Sequence, residues 1–453
     1  MSIDALNTAK NALLSHQTAI NLTGTNIANV NTPGYTRQRP VFSTLGQSVE
    51  IAEIKRIYDR FLGTQINEQM HNLGYNEAKK NELDRIETIF NEAGGGGINE
   101  LLSKFWSAWE DLSANPSGQS ERQVLVSVSQ SLTSMFRSYS DGLLSVQNDA
   151  NAWIQGLVHQ VNNYLSDIAD INSKITRTET DDVGLNTLKD KRAALLSGLA
   201  EIVDFHYFED SDGSINAFLS NGMPLVEGNK TWELDVVTEN HVSNPSFYDV
   251  VFKDDPDEEP INSVITNGKL AGFLEMRDTT IKGYMDSLDD LVASLVDKVN
   301  TQHNLGYDMS QSSGEDFFDA AKTEAKNMEV STAIIADINK IAASETVNGD
   351  GGNAVSMSNI KDNLTMNGSK STFSAYYSSL VGRVGQDATD ADRNVDHHTI
   401  LMSQLTNKRE EISGVSIDEE MMNLIMYQTG YNAAARIFST TDELVDVLMN
   451  LVR

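Results

Sequence analysis

The C-terminal segment narrows what this chain can fold into more than any other stretch. From Ile417 onward, Ile417, Met421, Leu424, Gln428, Tyr431, Ala435, Phe438, Asp442, Val445 and Met449 follow steps of four and three. A second stripe of Met422, Ile425, Ile437, Leu444, Leu448 and Leu451 runs beside it. One apolar stripe suits a single partner helix, whereas two adjacent stripes ask for burial on more than one side. The N-terminus carries a related pattern. Leu6, Leu13, Ile20 and Ile27 fall seven apart, flanked by Ala5, Ala12 and Ala19, which predicts a heptad seam over residues 3–29. Both ends are therefore sticky helices. The economical reading is that they pair with each other and with neighbouring subunits. An amphipathic helix lying on its own domain's core would bury the same seam against a different partner.

The N-terminal helix runs straight into "NTPGYTRQRP", residues 31–40, which holds two of the chain's seven prolines. Pro33 disfavours helical geometry at Thr32, and Gly34 permits positive φ, so the helix stops here. Tyr35 can bury its ring while its hydroxyl stays paired. Arg37 and Arg39 can make charge-assisted contacts with carboxylates of an acidic neighbour; the alternative is an ordinary loop with two solvated arginines.

Between the ends the pattern is mostly helical. Residues 41–57 alternate and read as extended. Helices fit 56–91, ending at "AGGGG", then 98–114, 119–178 with room for a break, and 185–201. At Ile202 the texture changes to short apolar alternations separated by Asp-Gly, Asn-Gly and Gly-Asn, which are hairpin signals. An acidic loop, "DDPDEEP" (254–260), and "TNGKLAGFLEMRD" follow. Helix returns at about 277–304, and residues 306–370 are mixed. From Thr372 the chain is helical to the end, interrupted at "SGVS", where Gly414 can stop one helix and Ser416 can cap the next. The predicted fold class is mainly α, multi-domain and elongated. The terminal helices form an inner coiled coil (1–57 with 404–453). A long-helix bundle forms the middle domain (58–201 with 271–403). A small β-rich outer insert (202–270) interrupts it, and a short linker in place of 204–268 should be tolerated.

Composition excludes several functions. The formal net charge of −31 argues against a general nucleic-acid or anionic-membrane partner, both of which call for a basic face. The chain has no cysteine, so disulfides, thiolate zinc sites and thiol nucleophiles are out. The start "MSIDALNTAKNALLSHQ" has no basic-then-apolar export signal, and no stretch approaches the 18 or so apolar residues of a spanning helix. No phosphate-binding loop, zinc-protease motif or nucleophile elbow is present. "EDSDGS" (209–214) carries Asp210, Asp212 and Gly213 but no downstream Glu, so a hairpin turn outweighs a calcium loop. No catalytic residue, cofactor or metal ligand emerges.

Both ends resemble a known family. "NLTGTNIANVNTPGYTRQRP" is similar to the N-terminal motif of the flagellar axial proteins of rod, hook and hook-associated type. The longer form "NTPGYTRQ" is most similar to the hook-associated branch at the hook–filament junction. "SGVSIDEEMMNLIMYQTGYNAAARIFSTTDELVDVL" resembles the same family's C-terminal helix. The internal stretches "DGSINAFLSNGMPLVEG", "GKLAGFLEMRD" and "FSAYYSSLVGRVG" also fit. The insert is small beside the outer domains of many relatives.

The resemblance implies a structural adaptor, not an enzyme, that polymerises at the distal end of the hook and joins it to the filament. It implies an inner coiled coil of terminal helices lining an axial channel. Implied partners are further copies of itself, the hook protein, the second hook–filament junction protein, a cytoplasmic export chaperone and the flagellar type III export apparatus. The implied location is the extracellular flagellum after a transient cytoplasmic stage. On the N-terminal side the implied assembly residues are Leu6, Leu13, Ile20, Ile27, Asn29, Pro33, Gly34, Tyr35 and Arg37. On the C-terminal side they are Ile417, Met421, Leu424, Ile425, Tyr431, Phe438, Val445 and Leu448, shared with the chaperone. The alternatives are another axial subunit (hook or distal rod) and an axial protein carrying an enzymatic insert.

Overall fold

In the computed structural model, residues 2–45, 48–92, 94–178, 183–238, 244, 246–346 and 349–451 are described. Helix α1 (Ser2–Ala28) leads through the Pro-Gly turn to an antiparallel hairpin, β1 (Gln38–Leu45) and β2 (Ser48–Arg56). Four helices follow: α2 (Arg60–Ile89), α3 (Ile98–Ala114), α4 (Gln119–Arg177) and α5 (Val183–Ile202). Strands β3 (His206–Glu209), β4 (Ile215–Phe218), β5 (Pro224–Glu227) and β6 (Lys230–Thr231) form one antiparallel sheet in sequence order. Strands β7 (Leu234–Val237) and β8 (Asp249–Phe252) form a second. Helix α6 (Gly268–Glu275) continues through one π-helical turn at Met276–Thr280 into α7 (Ile281–His303). Short helices α8 (Thr332–Ala336) and α9 (Gly352–Asn359) precede the long α10 (Phe373–Ser413) and α11 (Ile417–Leu451).

Helix α4 is the spine. Its 59 residues run without the break that the sequence left room for, a length of roughly 90 Å at the α-helical rise. The reason is that its apolar stripe never lapses and no proline falls within it. Leu125, Leu132, Phe136, Leu143 and Val146 enter one core with α3, α7, α10 and the irregular stretch around Phe317 and Phe318. Ala150, Ile154, Val158, Val161, Leu165 and Ile168 enter a second core with α5, α6 and the strands.

The strands therefore have no core of their own. Phe205, Ile215, Ala217, Leu225, Val226, Leu234 and Val250 pack on the distal half of α4. The shared core differs from the modest boundary that exchange of residues 204–268 for a linker supposes, because their removal would strip one side of the spine. The turn at Asp210–Ser214 is the hairpin turn expected. Gly213 has φ +82, and Asp212 Oδ1 accepts from the Ser214 amide and hydroxyl at 2.9 and 2.7 Å. A second correction concerns "GKLAGFLE", which is helical from Gly268, ahead of the expected return near 277. Leu270, Phe273 and Leu274 are buried at three- and four-residue spacing, a helical period too short in extent to stand out in the sequence.

Two buried histidines are held neutral. The amide of Ala342 donates to His303 Nε2 at 2.8 Å, and His303 Nδ1 contacts the Glu315 carbonyl, which requires the proton on Nδ1. Burial lowers the His303 pKa to about 4. His71, edge-on to Phe205 with centroids 5.5 Å apart, is likewise lowered to about 4 by burial.

Candidate assembly interface

The turn after α1 is built from local rules. Asn29 Nδ2 donates to the Thr25 carbonyl at 2.9 Å, and Thr32 Oγ1 donates to Asn29 Oδ1 at 3.1 Å, closing the helix. The Tyr35 amide then donates to the Thr32 carbonyl at 3.2 Å across Pro33-Gly34. Gly34 has φ +78, the value a turn with proline second and glycine third requires. The turn folds Tyr35 back onto α1. Its hydroxyl donates to Asn26 Oδ1 at 2.7 Å. Burial first, then the nearby Asp190 and Glu420 carboxylates, push the Tyr35 phenol up to about 12, so it stays a donor.

Asn26 is the node of this network. It is buried, its Nδ2 donates to the Gln38 carbonyl at 2.8 Å and to Glu420 Oε2 at 3.0 Å, and its Oδ1 also accepts from the Gln38 amide at 3.2 Å. Arg37 adds a second link to α11. Its Nε lies 2.9 Å from Glu420 Oε1 and its Nη1 2.5 Å from Glu419 Oε2, while its amide donates to the Ser413 carbonyl at 2.8 Å. The carboxylates that Arg37 meets thus belong to its own chain. They sit in the first turn of α11, where negative charge also complements the helix dipole. Gly414 ends α10 as the sequence suggested, and Ser416 Oγ accepts from the Glu419 amide at 3.5 Å.

A third link runs to the helical body. Thr36 donates through its hydroxyl to Asp190 Oδ1 at 2.6 Å and through its amide to Asp190 Oδ2 at 3.1 Å. Arg56 Nε lies 2.6 Å from Asp190 Oδ1 and donates to Thr36 Oγ1 at 2.8 Å. Asn186 Nδ2 donates to the Ile54 carbonyl at 2.7 Å. The turn is consequently tied to α11 on one side and to α5 on the other.

The two terminal helices pair antiparallel, with Asn26 opposite Glu420 and His16 opposite Tyr427 and Gly430. The rings of His16, Phe42 and Tyr427 form a cluster with centroids 5.9–6.5 Å apart. A Cβ at Gly430 would lie 2.5 Å from the His16 ring, so a side chain there would require that ring to shift. On α1 the buried face is Ala9, Ser15, Ala19, Leu22, Thr23 and Asn26. The sequence-predicted seam residues Leu6, Leu13, Ile20 and Ile27 flank that face and are half-buried. On α11 the buried positions are Glu420, Tyr427, Ala434 and Thr441, with Leu424, Phe438 and Val445 half-buried beside them.

Ile417, Met421, Ile425 and Tyr431 lie in the open, as do Met422, Met426, Ile437, Leu444, Val447 and Met449. The side chain of Leu448 lies outside the described residues. Pairing with α1 covers one side of α11 and leaves a long apolar surface uncovered, of the kind that marks a protein–protein contact. Asn26, Glu420, Gly430 and Asp190 were missed by sequence reasoning. Gly430 did carry a signal, since it is a poor helix former placed inside α11.

Among the described residues, no group of three His, Asp or Glu side chains could hold a metal ion. Nor is any helix among them long and apolar enough to cross a membrane.

Comparisons with known proteins agree with this geometry. A family model described as the flagellar hook-associated protein FlgK helical domain matches residues 83–318. Models for the flagella basal body rod protein and for the flagellar basal body rod FlgEFG protein C-terminal region match residues 6–36 and 407–451. The chain is 30% identical over 496 aligned positions to flagellar hook-associated protein 1 of Bacillus subtilis, covering 98% of this chain and 97% of the relative. It is 24% identical to the protein of that name from Escherichia coli, covering 98% and 99%. The flagellar hook junction protein FlgK from Burkholderia pseudomallei superposes with a TM-score of 0.69 over 77% of this chain and 100% of that one. At 16% identity, this likeness speaks for the fold. The helical-domain match and the Bacillus relative, together with a paired-ends architecture, show that the chain belongs to the flagellar hook-associated protein 1 (FlgK) family.

Proposed function

We propose that this chain is a structural adaptor that polymerises at the distal end of the flagellar hook and joins hook to filament. The observation that carries the reading is the terminal helix pair, which is latched through Asn26, Arg37 and Glu420 yet leaves most of α11's apolar surface uncovered. Such a surface is stable only when neighbouring subunits bury it. The remaining divisions follow from that role. Residues 1–57 with 404–453 act as the inner, polymerising domain. Residues 58–201 with 271–403 act as the rod-like body, and 202–270 face outward. Leu6, Leu13, Ile20, Ile27, Ile417, Met421, Ile425 and Tyr431 contact neighbouring copies, while Asn29, Pro33, Gly34, Tyr35 and Arg37 set the direction in which chain leaves the inner helix.

The chain works without catalysis. Its partners are the hook protein below, the second hook–filament junction protein above, and the type III export apparatus on the way out. A cytoplasmic chaperone covers α11 until export. A deletion strain viewed by electron microscopy tests the reading. Hooks should persist without filaments, and flagellin should collect in the medium. Normal filaments in a clean deletion would refute it, and loss of the hook itself would favour a hook or rod subunit.

A further inference from the structure

A groove of about 470 Å³ lies between β2, α5 and β3. Its walls carry five cations, Lys55, Arg56, Arg60, Lys189 and Arg192, against the carboxylates of Glu53 and Glu209. That balance is unusual on a chain with net charge −31. The arginines are held in place: Arg60 Nη2 and Arg192 Nη2 grip the two oxygens of Glu209 at 2.8 and 3.0 Å, and Arg56 is fixed on Asp190. Lys55 and Lys189 have no ion-pair partner among the described residues.

A dense run of the opposite charge lies in one exposed loop. Asp254, Asp255, Asp257, Glu258 and Glu259 fall between β8 and Pro260, around Pro256. Asp255 folds the loop on itself, accepting from the amides of Asp257 at 3.1 Å and Glu259 at 3.3 Å, and Glu258 takes a left-handed φ of +47. The loop is therefore shaped before any partner arrives. Asp254, Asp257, Glu258 and Glu259 have no ion-pair partner among the described residues, and no residue of the loop lines the groove of its own chain.

We infer that the basic groove docks the acidic loop 254–259 of a second copy of this chain, an inference that rests on the chain polymerising. Subunits this acidic repel one another, and a contact that sets opposite charges together offsets that repulsion and fixes register. Groove and loop are different surfaces of one molecule. Their contact is head-to-tail and propagates from copy to copy around a ring or helix.

The absence of cysteine makes a direct test available. A chain carrying Lys55→Cys with Glu258→Cys is expressed in the deletion strain, and isolated hooks are treated with a mild oxidant. Disulfide-linked dimers and higher multimers are expected, with none from either single substitution. A second set reads function. Lys55→Glu with Lys189→Glu, and separately Asp254→Lys with Asp257→Lys, should each lower the filaments retained under shear at least fivefold. The four changes together should restore them. All five positions are exposed or half-buried, so folding is checked simply by an unchanged melting temperature. If the chain is present at hook tips by immunogold but gives no multimers and no charge-swap rescue, the inference is overturned while the junction role stands. If even the unmodified chain is absent from hook tips, the junction role falls and the inference falls with it.

Discussion

Asn26 Nδ2 donates a 3.0 Å hydrogen bond to Glu420 Oε2, joining side chains 394 positions apart. Neither side chain is left idle. Asn26 also binds Tyr35 and the Gln38 backbone, and Glu420 also binds Arg37. The relationship fixes the register of the two terminal helices. A slip of one residue would bury these groups without partners, which costs about 1–3 kcal/mol for each group and more for the charged one.

Glu420→Ala should loosen the helix pair without unfolding the body. The Glu420 side chain is 3% exposed, so its loss leaves Asn26 short of one acceptor. Arg37 is 22% exposed and keeps Glu419, which limits the damage to about 2 kcal/mol. Hydrogen exchange should quicken in residues 20–28 and 417–430 and stay unchanged in α4. Uniform quickening across the chain would mean that the latch is not local.

Gly430→Ala should displace the His16 ring and disturb the α1–α11 contact, since the added methyl meets that ring. The expected loss is about 1–3 kcal/mol. His16→Ala in the same chain should recover much of it, because the space is returned. Additive losses in the double mutant would place the clash elsewhere.

Ile425→Asp should separate stability from assembly. Ile425 is 60% exposed in the single chain, so the melting transition should move by no more than about 0.5 kcal/mol. In the assembled junction the same carboxylate would be buried without a partner, and filaments per cell should fall to near zero at matched secretion. Chaperone binding is measured alongside, because a variant that is never exported would mimic this result. Normal filament numbers would show that this face of α11 is not covered by a neighbour.

Stability should fall as acid rises between pH 6.5 and pH 4. His303 is neutral when folded, with its pKa lowered to about 4, whereas in the unfolded chain it titrates near 6.5. The unfolded state therefore binds more protons in this window, and stability rises with pH through it. His303 contributes a loss of roughly 3 kcal/mol by pH 4, and none of it is felt above pH 7. His71 adds in the same direction. Denaturant midpoints at pH 7, 6 and 5 measure the slope, which His303→Phe should flatten even though that variant is weaker throughout.

Replacing residues 204–268 by a Gly/Ser linker should unfold the distal half of α4. Ile154, Val161, Leu165 and Ile168 would lose the side of their core that the strands supply. At about 1.5–3 kcal/mol for each large side chain, the loss is on the order of 10 kcal/mol, comparable to the whole stability of a typical domain. Loss of helical circular dichroism beyond the deleted residues is the expected readout. A cooperative transition of ordinary midpoint would show that α4 and α5 suffice alone.

What the sequence determined by itself was local. Helix α3 spans Ile98–Ala114 as the spacing of its apolar residues indicates. The Pro-Gly turn, the Asp-Gly hairpin turn and the stop at Gly414 are set by backbone preferences of one to four residues, so they could be read directly. The second stripe on α11 was legible for the same reason, since a helix's faces are fixed by its own period, and the structure leaves that face exposed. Tertiary structure decided the rest. It chose Asn26, Glu420 and Gly430 as the contact between the ends, kept α4 unbroken across two cores, and put the strands into the second of them. Each of these depends on groups that meet only after the chain has folded back on itself. The energy that selects them lies in packing and hydrogen bonds across tens to hundreds of residues, and local periodicity does not encode it.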